Sequence, residues 1–230
     1  MSNTISNINY KDYPECMFAM ISAFLPKEEG HDLRRVAGDV VFKSTDKNGR
    51  TYRNGLLHSY DDEPAIIADN GTYKVWYKEG SIHREGDLPA ITRNESYQEW
   101  YNKGRLHRDC DKPAIIESIN HKEWWVNGEL HRDGDMPAII DRTYTSWYQS
   151  GERHRDGDMP AVVCGNYRVW YIHGVVHRDG DKPALVDDDY RVWVKNGQYH
   201  REGDQPAIID GQIRKWYNNG VFIRSEGEDL

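Results

Sequence analysis

A histidine and an aspartate recur together seven times in this chain, and their types alone would allow metal binding or acid–base chemistry. The histidines are His58, His83, His107, His131, His154, His177 and His200. Four residues after each stands Asp62, Asp87, Asp111, Asp135, Asp158, Asp181 or Asp204. One His and one carboxylate make an incomplete zinc site, because zinc takes four ligands at about 2 Å. Equivalent atoms in successive copies would stand two strand spacings apart, near 10 Å, so neighbouring copies cannot share an ion. No Ser or Cys recurs as a nucleophile, and seven equal copies do not resemble one active site. The expectation is therefore no catalytic residue, no metal and no cofactor. The His is expected to bond turn backbone or the Asp of its own copy, and Asp135 to accept backbone N–H groups of its own connection.

The neighbouring residues repeat as well. Arg84, Arg108, Arg132, Arg155, Arg178 and Arg201 follow the His, and an acid follows each Arg (Glu85, Asp109, Asp133, Asp156, Asp179, Glu202). Alternating signs along one edge fit a solvated ion-pair network, in which exposed pairs contribute about 0–1 kcal/mol each. An anion-reading ladder is the alternative. Trp76, Trp100, Trp124, Trp147, Trp170, Trp193 and Trp216 complete the pattern, most of them followed by Tyr. Consecutive residues of a strand face opposite ways, so both faces of a sheet would carry aromatics. Either the sheet curls around the Trp face, or one face receives a partner.

The spacing shows what must position these side chains. Successive His are 25, 24, 24, 23, 23 and 23 residues apart. Each copy also has a Pro, at Pro64, Pro89, Pro113, Pro137, Pro160, Pro183 and Pro206. From Gly55, Gly80, Gly104, Gly128, Gly151, Gly174 and Gly197 the count to that Pro is always nine, while the stretch from Ala to Trp varies. A variable connection is a loop tip; an invariant one is held by internal bonds. Pro suits the first residue of a strand, and runs such as Ala161-Val162-Val163 are β-branched. Residues 161–164 and 167–173 therefore read as strands of one hairpin, repeated in each copy. Fourteen such strands would make an antiparallel, twisted or curled single sheet about 65 Å long. A unit of this length cannot bury its own apolar surface, so copies must stack.

Composition narrows the function classes. The net charge of −8 opposes a phosphate-tracking nucleic-acid surface and association with anionic lipid. The three Cys have no pairing or zinc spacing, which predicts a reduced, intracellular protein. No basic segment opens the chain, so no signal peptide is expected.

The wording Trp-Tyr-x-x-Gly-x-x-His-Arg-x-Gly-Asp-x-Pro-Ala resembles the MORN or MORN-like repeat over roughly residues 50–223. Arg follows the His where that family usually has Gly. The resemblance implies tandem hairpins in an extended single-layer sheet, often dimeric, that scaffolds proteins. Arrays with this wording are also similar to ones from large DNA viruses of amoebae, which implies a virus-encoded protein in host cytoplasm or virion.

The segment before the array differs. Met17, Met20, Ile21, Phe24 and Leu25 form a helical apolar stripe, begun after Pro14 and stopped by Pro26. Pro14, Ile21, Leu25, Asp32, Leu33 and Val36 together resemble an F-box, although Tyr13 replaces its usual Leu and Gly38 interrupts its third helix. That resemblance implies docking to a ubiquitin-ligase adaptor through Pro14, Ile21, Leu25 and Leu33. The alternative is a helical cap over the first sheet edge. The expected organisation is a helical segment over 1–45, seven hairpin repeats over 46–223 and a tail over 224–230. The expected function is a non-catalytic protein-interaction scaffold, with a self-associating structural or virion component as the alternative.

Overall fold

The computed structural model describes residues 30–36, 39–94 and 96–227. The helix expected around residues 17–25, with Pro14, Ile21 and Leu25, lies outside them. Among the described residues there is no α-helix, only strands, turns and one 3₁₀ turn at Asp69–Gly71. They divide into two compact units, Met1–Asn94 and Glu95–Leu230.

Tandem antiparallel hairpins build both units. In the second, Val162–Cys164 pairs with Tyr167–Val169, which pairs with Leu185–Asp187 of the next copy. Twelve strands follow one another in this way, from Tyr97–Glu99 to Val221–Glu226. Ile66–Ala68, Tyr73–Val75 and Ile91–Arg93 are their counterparts in the first unit.

Each copy contains a second, shorter hairpin, which corrects the expected continuous strand over 167–173. The chain leaves the long strand at Trp170, and Tyr171–Ile172 then pairs with Val175–Val176. His173 and Gly174 turn between them with φ of 44° and 75°. Two left-handed residues make the turn whose twist matches a two-residue hairpin, which is why Gly recurs there. Asn127-Gly128 and Asn196-Gly197 are its best-suited versions. The invariant Gly-to-Pro count thus spans the second half of a tight hairpin and the loop after it.

The Trp joins the two hairpins. Trp170 N–H donates to Ala184 O at 2.9 Å, and Trp170 O accepts from His177 N–H at 3.2 Å. Each repeat Ala is 0% exposed, from Ala114 to Ala207, so no larger side chain fits. One core cluster contains Ala184, Val192, Val194 and Ile208, with Val176, Leu185, Tyr190 and Tyr217 against it. These come from both strand types, so the core lies where the short hairpins cover one face of the long strands. The opposite face is left to solvent below the Trp row.

Both ends depart from expectation. Gly30–Val36 pairs with Asp39–Thr45, in register from Gly30↔Thr45 to Val36↔Asp39, so the helical segment expected over 1–45 is corrected over this part. Leu33 sits in a strand opposite Phe42. The β-branched run after Gly38 favours extended backbone over a third helix. The strands Thr51–Arg53 and Leu56–Leu57 complete that four-stranded sheet. At the other end Ile213–Asn218 runs unbroken through Trp216 and pairs with Val221–Glu226, so strand continues past the expected boundary at 224.

Candidate functional site

The side chains that suggested chemistry form a lattice between copies. Arg178 makes three interactions at once. Its guanidinium carbon lies 3.8 Å above the centre of the Trp170 ring. Nε and Nη2 donate to both carboxylate oxygens of Asp158, in the preceding copy, at 2.7 and 3.2 Å. Nη1 donates to Pro183 O at 3.1 Å. Arg84, Arg132, Arg155 and Arg201 repeat this fork on Asp62, Asp111, Asp135 and Asp181. Arg108 stacks on Trp100 and donates to Pro113 O, and Arg224 pairs Asp204 over Trp216. The expected ion-pair network is present, but its Arg partners are the Asp residues of the preceding copy and not the acids beside them. A planar guanidinium can serve an aromatic face and a carboxylate together, and that stacking turns its fork toward the preceding copy.

The Asp is corrected too. Asp135 binds Arg155 of the next copy through both carboxylate oxygens and has no backbone role in its own connection. Its loop is shaped by left-handed Gly134. Cys110 takes the Gly position of another copy at φ 63°, at the cost of the strain a side chain meets there. The Asp main chain also contributes: Trp76, Trp124, Trp170 and Trp216 donate Nε1–H to the carbonyls of Asp62, Asp111, Asp158 and Asp204. The neighbouring guanidinium holds the carboxyls of Asp62, Asp111, Asp135, Asp181 and Asp204 below the usual range. Arg178 and Lys182 together lower Asp158 to about 2.

The His row also bridges copies. His177 Nδ1 accepts from Asn196 N–H of the next turn at 2.9 Å, and its Nε2 faces Asp179 at 3.1 Å. His58, His107, His131, His154 and His200 accept from the equivalent turn N–H. An Nδ1 that accepts is unprotonated, so the network assigns the neutral Nε2–H tautomer. His131 meets Asp133, not Asp135. His83 likewise faces Glu85. In the last copy Ile223 replaces the His. Asp87 stands at the same loop position, and the carbonyls of Pro89, Pro113, Pro137, Pro160, Pro183 and Pro206 each receive Nη1 of the Arg five residues earlier.

One polar cluster occurs in a single copy. His121 Nδ1 lies 2.9 Å from Asp141 and its Nε2 2.8 Å from Glu123. Trp125 Nε1 donates to the other Glu123 oxygen at 2.7 Å. Burial opposes charge on the ring, but the two carboxylates outweigh it and raise its pKa. The two carboxylates thus favour the imidazolium, the form in which both ring nitrogens donate. Sequence reasoning missed this site. Its signal was a His outside the repeat register, next to the Glu-Trp-Trp of that copy. Among the described residues no group of three or more His, Cys, Asp or Glu is arranged to hold a metal, and no helix is long and apolar enough to cross a membrane.

The uncovered face of the long strands carries a different row. Cross-strand register runs Ile116, Lys122, Ile140, Thr145, Val163, Arg168, Val186, Arg191, Ile209, Arg214 across the second unit. Aliphatic and polar residues alternate, and four of the polar ones are basic. Arg168, Arg191 and Arg214 are exposed, and the aliphatic members half-buried. Nearer the corner, open clefts of about 260 to 380 Å³ lie between successive Gly-Asp loops, bordered by Arg, Asp and Trp of the lattice.

No protein-family model matches the chain, and no curated protein or solved structure matches it either.

Proposed function

We propose that the chain is a non-catalytic protein-interaction scaffold whose hairpin array receives a protein partner. One observation carries this reading: the side chains able to do chemistry are bonded from copy to copy. His177 accepts from the next turn, and Arg178 clamps the preceding Asp158. A residue engaged in this way holds a stack together, and the stack leaves a long row of side chains facing solvent. Repeat arrays use such extended surfaces for binding. Docking of residues 12–37 to a ubiquitin-ligase adaptor is the finer form of the proposal. The test is affinity purification of the tagged full chain from cell lysate, with mass spectrometry. The scaffold reading expects a saturable partner that an unrelated acidic protein does not retain. Adaptor and cullin peptides would support the F-box form, and their absence beside another partner would remove it.

A second reading, a structural component that self-associates, rests on the last strand. Among the described residues Val221–Glu226 ends the sheet order, and Val221, Phe222 and Ile223 are 67%, 53% and 56% exposed. A sheet edge with apolar side chains is a template for pairing with another chain. Sedimentation velocity over a range of concentrations tests this: self-association should weaken in Phe222→Lys.

A further inference from the structure

We infer that the uncovered row of the second unit docks an extended acidic peptide with a carboxylate at every third residue; this deepens the scaffold proposal and rests on it. The argument begins with charge. The chain carries a net charge of −8, yet Arg168, Arg191 and Arg214 lie on one sheet face with no carboxylate bonded to any of them. Arg168 Nη1 donates only to Asn166 O at 3.3 Å, and Arg214 Nη1 only to Gln212 O at 2.8 Å. Those bonds leave most of each fork open. The lattice arginines, by contrast, hold carboxylates of the chain itself wherever their partners are described. The chain has acids to spare and does not place them on this row, so the complementary charge must come from outside.

Spacing then sets the form of the partner. Val163, Arg168, Val186, Arg191, Ile209 and Arg214 are successive cross-strand partners. Adjacent strands stand about 4.8 Å apart, so the arginines recur about every 10 Å with an aliphatic residue between each two. A polyproline-II segment rises about 3.1 Å per residue with three residues per turn, so every third side chain points the same way at about 9 Å intervals. Laid across the strands, such a segment sets one carboxylate on each guanidinium. Its backbone and intervening residues rest on Val186 and Ile209. Arg is suited to this task because its fork takes both carboxylate oxygens. An acidic cluster of the same charge matches only one or two arginines at a time.

The test uses the full chain and a fluorescent peptide of four Glu-Pro-Pro units. A second peptide of equal composition has its four Glu in one block. Fluorescence anisotropy should show binding of the spaced peptide, weaker binding of the blocked one, and loss with added salt. The triple variant Arg168→Glu/Arg191→Glu/Arg214→Glu should lower affinity at least about tenfold. Circular dichroism checks that it folds; if it does not, Arg191→Gln should still lower affinity several-fold. No binding by the wild type, equal binding of both peptides, or equal binding by the variant would each overturn the assignment. So would Arg191-dependent binding to phosphatidylserine vesicles that the peptide does not compete away, because that pattern belongs to a membrane surface. If lysate partners are retained equally by wild type and variant, the scaffold reading stands and this face is wrong. If the wild type retains no partner, the scaffold reading itself fails.

Discussion

The corner lattice and the uncovered row lie only a few residues apart, yet they obey different rules. At the corner, Trp170, Arg178 and His177 have counterparts of the same type in nearly every copy, because each must meet a fixed partner in the next. Two residues before the Trp, the row reads Lys122, Thr145, Arg168, Arg191 and Arg214, and Arg168 and Arg214 bond only a backbone carbonyl two residues back, which dictates no side-chain type in another copy. Identity between copies therefore reports packing. Freedom between copies marks where the molecule can address something else.

The sharpest way to break this comparison is at the corner. Trp170 is 8% exposed and stacked under Arg178, so Trp170→Ala should cost about 3–5 kcal/mol. Urea unfolding monitored by circular dichroism measures this, and a loss below about 1 kcal/mol would mean that the copies do not depend on the stack. Arg178→Ala comes next. It removes a stack and a carboxylate fork, but Asp158 is 41% exposed and water can solvate it. We therefore discount the loss to about 1–2 kcal/mol, and Arg178→Lys should recover less than half of it because an ammonium makes no planar fork.

Acid should dissolve the lattice before the rest. The Asp carboxyls have folded pKa values below their unfolded value, with Asp158 lowered from 3.8 to about 2. A group depressed in the folded state contributes stability that is present above the unfolded pKa and lost as pH falls through the folded one. Stability should accordingly drop between about pH 4 and pH 2, and the drop should be smaller in Asp158→Asn. A flat profile over that range would contradict the inter-copy ion pairs.

His121 has the opposite sign. Despite its burial, Asp141 and Glu123 raise its pKa, so its contribution is full below the unfolded value of about 6.5 and fades as pH rises through the folded one. His121→Gln should therefore destabilise at pH 5.5 more than at pH 9, by up to about 1 kcal/mol, read from urea midpoints at both values. The smallest effect is expected on the uncovered row. Arg191→Glu should change stability by less than about 0.5 kcal/mol. A larger loss would show that the row, too, serves packing.

Much of this was legible in the sequence. The 23-residue period, the β-branched runs after Pro and the variable tips led directly to tandem antiparallel hairpins, because period-2 patterning and turn chemistry are local properties. The short hairpin was less visible. Tyr171–Ile172 and Val175–Val176 are only two residues each, too short for any periodicity to register. His173-Gly174 was the clue, since its Gly recurs four residues after each of the seven repeat Trp.

By itself, then, the sequence determined that one β unit is repeated and that its His, Arg, Asp and Trp must do the same thing in each copy. It could not determine with whom they do it. Arg178 has Asp179 beside it in the chain and takes Asp158 instead, 20 residues back. His131 has Asp135 four residues on and turns to Asp133 and the next copy's Ser150 N–H. These choices depend on stacking, which sets copies two strand spacings apart and brings the loop of one under the guanidinium of the next. The tertiary structure also decided which face the short hairpins cover. A two-residue period specifies that two faces exist, and only packing at the Trp corner leaves one of them with three open arginines.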